Sequence, residues 1–189
     1  MSLAGYKIFI DAGHSNKWVG SRGNNLKEEL VVLDIAKACK AQLEANGATV
    51  GMSRTDGTPV SSVSNSADLD ARVMKSNNFG AHIFVSIHNN AHDTTSPNGV
   101  ETFVRVGASS YTKSLAAKVN SSIASSTGMS QRNPAVKEVD YRVIMSDNKA
   151  WAILTEVGFI TNPGDAAKLD TLSERQNTGR AIADGIRIL

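Results

Sequence analysis

Short apolar runs alternate with helix-patterned segments along nearly the whole chain, and that alternation leaves few architectures open. Lys7–Asp11, Thr49–Ser53, His82–His88, Val100–Val106 and Ala150–Glu156 are rich in the β-branched, aromatic and aliphatic residues of strands. Between them, Glu29–Ala45 reads as a helix closed by Asn46-Gly47, and Leu69–Asn78 as a shorter one. Tyr111–Thr127 carries Leu115, Val119 and Ile123 at a spacing of four, which is one buried helix face. Asn162-Pro163 supplies an N-cap followed by proline at the first helical position. Thr171 and Glu174 form a capping box for a last helix running to about Ile188. Thr55–Asp68 is a polar loop, and Gly128–Tyr141 reads equally well as loop or edge strand. Strands that are apolar throughout and separated by helices predict one α/β domain over residues 1–189. Its twisted, largely parallel central sheet is covered by helices on both faces.

Composition narrows the function. The 189 residues can bury a core without staples, and the single cysteine, Cys39, excludes an internal disulfide and a thiolate metal cage. Cys39 falls in the apolar pattern of the first helix and is expected in the core. A formal charge of +2 gives no argument for nucleic acid and is compatible with an anionic polymer. No apolar run approaches the ~18–20 residues needed to cross a bilayer. The N-terminus has neither a basic leader nor an apolar signal core, and residues 1–5 are set apart as leader or expression remnant.

In open α/β sheets, ligands bind beyond the carboxyl ends of the strands. His14 follows the first run, His88 closes HIFVSIH and Glu156 closes AILTE, so three strands deliver ionisable side chains to one edge. Glu28 stands just before the helix that leads back from that edge. Each residue alone has a bland reading. His14 would be a loop histidine, Glu28 an acidic first turn that helps any helix, and His88 a polar strand end. Glu156 is harder to dismiss, because a carboxylate flanked by core is costly without a partner. Two histidines and two carboxylates in one crevice suit zinc. His82 lies six residues before His88, ~20 Å away at ~3.3 Å per residue, and is excluded from that site. His92 sits in the polar loop NNAHDTTSPNG and reads as a solvated histidine with an approach to the crevice.

The segments IDAGHSN, NLKEELVVLDIA, HIFVSIHNN, GVETF and LTEVGFITNP span residues 8–163. In this order and spacing they resemble the zinc-dependent N-acetylmuramoyl-L-alanine amidases, cell-wall hydrolases of the amidase-3 type. The resemblance implies one zinc ion per chain, held by His14, Glu28 and His88, with Glu156 catalytic. It implies hydrolysis of the amide bond between N-acetylmuramic acid and L-alanine in peptidoglycan, at the bacterial cell wall. Such an enzyme, monomeric in expectation, needs neither nucleic acid nor membrane insertion. A leaderless domain of this kind suits an endolysin or the catalytic part of an autolysin. Glu29 is the alternative ligand should the register of KEEL differ by one, and Glu101 of GVETF matches a family glutamate as a supporting or substrate residue. Ser15 and Asn16 stand where the family commonly has glycines. Two other readings share the same fold: a zinc peptidase cutting within the stem peptide, and a wall-binding or regulatory module without activity. The second would be expected to have lost some of these four residues. No substrate-binding residue is assigned from the sequence.

Overall fold

A computed structural model describes residues 2–187. The chain runs β1 (Lys7–Ala12), β2 (Arg22–Gly23), β3 (Leu26–Lys27), α1 (Glu28–Ala45), β4 (Thr49–Met52), α2 (Asn65–Phe79), β5 (Ile83–Asn90) and β6 (Val100–Val104). It continues through α3 (Ser110–Thr127), β7 (Gln131–Glu138), a 3-10 turn (Arg142–Ile144), β8 (Trp151–Phe159), α4 (Pro163–Ala166) and α5 (Leu172–Arg187). Six strands form one sheet in the order β4-β1-β5-β8-β6-β7, while β2 and β3 make a two-residue ribbon apart from it. All neighbours in the large sheet are parallel except β6 and β8. This is the predicted α/β domain, with one antiparallel contact added.

Strand β4 flanks β1 on one side and β5 flanks it on the other, so the winding reverses at β1 and β5. That reversal opens a crevice at the carboxyl ends of these two strands. The larger core joins Ile8, Ile10, Val85, Ile153 and Val157 to apolar residues of α1, α3 and α5. On the opposite face Phe9, Phe84, Phe103 and Leu154 pack with Val73 of α2 and Ile144 of the 3-10 turn. Alternation along each strand therefore assigns Asp11, Ser86, His88, Glu101 and Glu156 to the α2 face, beyond its apolar residues.

Helix α1 crosses α5 so closely that a Cβ on Gly179 would stand 2.4 Å from the Ile35 carbonyl oxygen. Backbone cannot yield as a side-chain tip can, so Gly179→Ala is expected to cost about 1–3 kcal/mol. An unchanged urea midpoint would show that the two helices separate at no cost.

Several boundaries differ from expectation. Helix α2 begins at Asn65 rather than Leu69, because Ser64 accepts the Ala67 N–H at 3.0 Å as an N-cap and Asp68 pairs with Arg72 one turn on. The open segment Gly128–Tyr141 contains the edge strand β7. Strands β5 and β8 continue past His88 and Glu156, so these side chains lie inside strands, while Val100–Val106 ends at Val104. Glu28 is the first residue of α1 rather than its neighbour. The capping box holds, since Glu174 accepts the Thr171 N–H at 2.8 Å and Thr171 the Glu174 N–H at 3.2 Å. Ile188, the expected end of α5, and Met1 of the leader lie outside the described residues. Cys39 is fully buried in the larger core, as expected.

Candidate functional site

The first strand ends in Asp11-Ala12-Gly13, and the chain then turns at His14, whose φ of 59° is left-handed. That conformation is unfavourable for a residue with a Cβ and persists only where the surroundings impose it. Two buried arginines impose it. Arg72 of α2 donates to the carbonyls of Ala12 and His14, each at 2.7 Å. Arg54, after β4, donates to Ala12 at 3.0 Å and Gly13 at 2.7 Å. Three consecutive carbonyls are thus held from two other elements. Asp11 and Asp68 balance Arg72 at 2.8 and 2.7 Å, and Asp11 also accepts the Ser86 hydroxyl at 2.7 Å. Burial would push the Asp11 carboxyl up, but the Arg72 guanidinium and the hydroxyl bonds outweigh it and hold it below the ordinary value. Arg54 also donates to the Glu29 carbonyl at 2.8 Å, which ties the start of α1 to the His14 turn.

Against this support three donor atoms converge. His14 Nε2 lies 3.0 Å from Glu28 Oε1, His88 Nδ1 lies 3.1 Å from the same oxygen, and the two ring nitrogens are 3.1 Å apart. His88 is packed flush on Gly13, where a Cβ would stand 2.4 Å from its Cε1. Glu28 is 2% exposed; its Oε1 also accepts the Asn89 N–H at 3.0 Å and its Oε2 the Ser21 N–H at 2.8 Å. Burial acts to raise the Glu28 carboxyl, yet bonds to His14 and His88, with their charges, bring it well below the ordinary range.

The triangle fits a metal ion. Donors bound to one tetrahedral zinc at ~2.0–2.1 Å stand ~3.3 Å from one another, close to the observed edges. Among the described residues these three form the one group of histidine, cysteine or acidic side chains with ligand atoms so gathered. Glu29 does not compete, because both of its oxygens are taken by Arg22, at 2.5 and 2.7 Å. The ligand-competent glutamate of KEEL is therefore Glu28.

Glu156 is the register partner of His88 across β5 and β8. Its Oε2 is shut off from solvent and has no hydrogen-bond partner. Burial first, then the negative charges of Glu28 and Glu101, push its carboxyl well above the ordinary value. All four residues selected from strand ends thus meet at one edge of the sheet. The other two histidines do not join them. His82 is exposed and its Nδ1 accepts the Lys7 N–H at 3.1 Å, at the start of β1. His92 is held in its loop by Thr94 at 3.1 Å.

A cleft of about 480 Å³ opens beside His14 and His88, lined by Lys17, Trp18, Val19 and Leu69. Ser15 explains part of that wall. It is fully buried, its N–H donates to the Trp18 carbonyl and its Oγ accepts the Trp18 N–H, both at 3.0 Å. The Trp18 indole N–H then donates to the Ser61 carbonyl at 2.9 Å. The Asn16 N–H reaches the Gly57 carbonyl at 2.8 Å. Sequence reasoning missed Arg54 and Arg72, although the Asp68/Arg72 spacing of one helical turn was a signal for the second.

A mostly parallel α/β sheet with a His-Glu-His cluster and a half-buried carboxyl near its switch point defines the class of metal-competent α/β hydrolases. Comparison with known proteins gives the family. Residues 8–187 match the amidase-3 family, described as N-acetylmuramoyl-L-alanine amidase, and the chain belongs to that family. The N-acetylmuramoyl-L-alanine amidase LytC of Bacillus subtilis (strain 168) is 38% identical over 184 residues, which are 97% of this chain and 35% of LytC. The uncharacterized protein YqiI of the same strain is 34% identical over 188 residues, 97% of this chain and 84% of YqiI. The crystal structure of an N-acetylmuramoyl-L-alanine amidase from Clostridium difficile 630 superposes with a TM-score of 0.86 at 31% identity, covering 99% of this chain and 97% of that one. The chain spans about a third of the length of LytC.

Proposed function

We propose that this chain hydrolyses the amide bond joining the lactyl group of N-acetylmuramic acid to the L-alanine of the peptidoglycan stem. His14, Glu28 and His88 would hold one zinc ion. The observation that carries this reading is the meeting of three donor atoms at 3.0–3.1 Å, with the half-buried Glu156, one of its oxygens unpartnered, across the strand pair from His88. Family membership supplies the bond.

When bound, zinc supplies a Lewis acid that polarises the scissile carbonyl and stabilises the charge developing on its oxygen. The remaining work falls to the protein. The Glu156 carboxylate, the register partner of His88, takes a proton from the attacking water and returns it to the departing alanine nitrogen. Arg54 and Arg72 fix the His14 turn in advance, so little reorganisation accompanies metal or substrate binding. The cleft walled by Trp18 and Val19 receives a polymer rather than enclosing a small ligand.

We place its action at the bacterial cell wall, as a monomer whose residues 8–187 form one catalytic domain. No helix among the described residues is long and apolar enough to cross a membrane. Incubation of the zinc-loaded protein with purified peptidoglycan is expected to release peptides with a new N-terminal alanine, leave the glycan intact and stop on chelation. New termini inside the stem would replace this reading with a peptidase. Absence of any cleavage by fully metallated protein would favour a binding module.

A further inference from the structure

The edge of the sheet beyond Glu156 carries a second cluster that the zinc site does not use. Glu101 of β6 is the register partner of Glu156 across the antiparallel contact, so its carboxylate lies on the same face one strand away, ~4.8 Å in backbone spacing. It is 4% exposed, and one of its oxygens accepts the Asn90 side-chain amide at 2.7 Å. The other oxygen accepts from two cations of β7, Arg132 Nε at 3.0 Å and Lys137 Nζ.

That convergence is built. Residues 132 and 137 differ by an odd number and would point to opposite faces of a regular strand. Here β7 advances five residues, Gln131 to Val136, while β6 advances two, Val100 to Thr102. The three extra residues form a bulge that returns both side chains to Glu101. Arg132 is further fixed over the Phe159 ring at 4.9 Å and by the Asn98 carbonyl at 3.2 Å. Both cations remain about a third exposed, at 32% and 30% of their side-chain surface. Neutralising a buried glutamate requires one cation. The second leaves a positive charge at Glu101, one strand from Glu156, held in place and open to solvent.

We infer that Arg132 and Lys137 form an anion subsite for a carboxylate of the stem peptide, on the leaving-group side of the scissile bond. This rests on the amidase reading above. Both side chains reach back over β6 to within one strand of Glu156. An L-alanine placed with its nitrogen at Glu156 spans ~3.5 Å, so the carboxylate within reach belongs to the next residue. In the peptidoglycan stem that residue is a glutamate linked through its γ-carboxyl, which leaves its α-carboxyl free as an acid or an amide. A guanidinium and an ammonium together discriminate these two forms, because the amide lacks the charge that both recognise.

The test compares muramoyl-dipeptides whose γ-carboxyl is capped, with the α-carboxyl either free or amidated, using the zinc-loaded enzyme. The free acid is expected to be preferred at least tenfold in kcat/KM, mainly through KM. Lys137→Met and Arg132→Gln, each checked for unchanged circular dichroism and zinc content, should bring that ratio toward one. Equal use of both substrates by the wild type overturns the subsite, as does a ratio that survives both substitutions. A third arm uses an α-amidated tripeptide ending in a diamino acid. Preference for that substrate over the amidated dipeptide would move the recognised carboxylate to residue three and overturn the assignment to residue two. Cleavage of none of these substrates, together with no new N-terminal alanine from purified peptidoglycan, would sink the amidase reading itself, a result distinct from cleavage without charge preference.

Discussion

Glu156→Gln is expected to keep the fold and the bound metal while turnover of peptidoglycan falls ~10²–10⁴-fold, the usual contribution of a general acid–base group. The substitution preserves the shape of the side chain and removes its capacity to accept a proton. The three metal donors are untouched, because Glu156 contributes no atom to the His14, Glu28 and His88 triangle. Folding should be unharmed or helped, since one carboxyl oxygen is shut off from solvent without a partner and the group faces the charges of Glu28 and Glu101. A neutral amide relieves that repulsion. Metal content by mass spectrometry and peptide release from purified walls separate the two properties. Wild-type turnover in a fully metallated variant would remove Glu156 from the proton-transfer role.

The residues that meet at the metal-competent edge were legible because each sits where a local pattern ends. An apolar run broken at His88 or Glu156 can be seen within a few residues even though β5 and β8 extend two or three residues further, and the rule that ligands gather towards strand carboxyl ends supplies the rest. The supports were not legible. Arg72 reaches the His14 carbonyl across 58 positions and Arg54 reaches Gly13 across 41, and neither contact leaves a periodic trace. Helix α2 starts four residues before its apolar pattern does, because Asn65, Ser66 and Asp68 are as common in loops as in first turns. The deciding contact, Ser64 on the Ala67 N–H, is a matter of geometry. The role of Glu101 was open for a related reason. Its two cations converge only because β7 bulges, and a bulge of three residues follows from strand register, which single-sequence patterns do not encode. Ser15 shows a milder case. A buried serine beside a histidine looks like a loop substitution, and its hold on Trp18 appears once the turn is closed.

His88→Ala should abolish stable zinc binding while leaving a folded protein. Two ligands would remain, His14 and Glu28, and removal of a direct donor is expected to exceed the ~10–100-fold loss seen for outer supporting residues. The Glu28 carboxylate would not be stranded by the change. It would still accept from His14, from the Asn89 N–H at 3.0 Å and from the Ser21 N–H at 2.8 Å, so a buried charge stays bonded. The vacated volume lies against Gly13 at a half-buried position, where water can enter, so the cavity penalty stays small. The measurement that separates site from fold is thermal unfolding with and without zinc. A ligand present at 1,000 times its Kd stabilises the native state by about 4.1 kcal/mol. The wild type should therefore melt higher when zinc is added, whereas the variant should melt at one temperature in both conditions. Near-stoichiometric zinc in purified His88→Ala protein, or a zinc-dependent rise in its melting temperature equal to that of the wild type, would show that His88 is no ligand. The metal would then have to be held by His14 and Glu28 with a donor from outside the triangle.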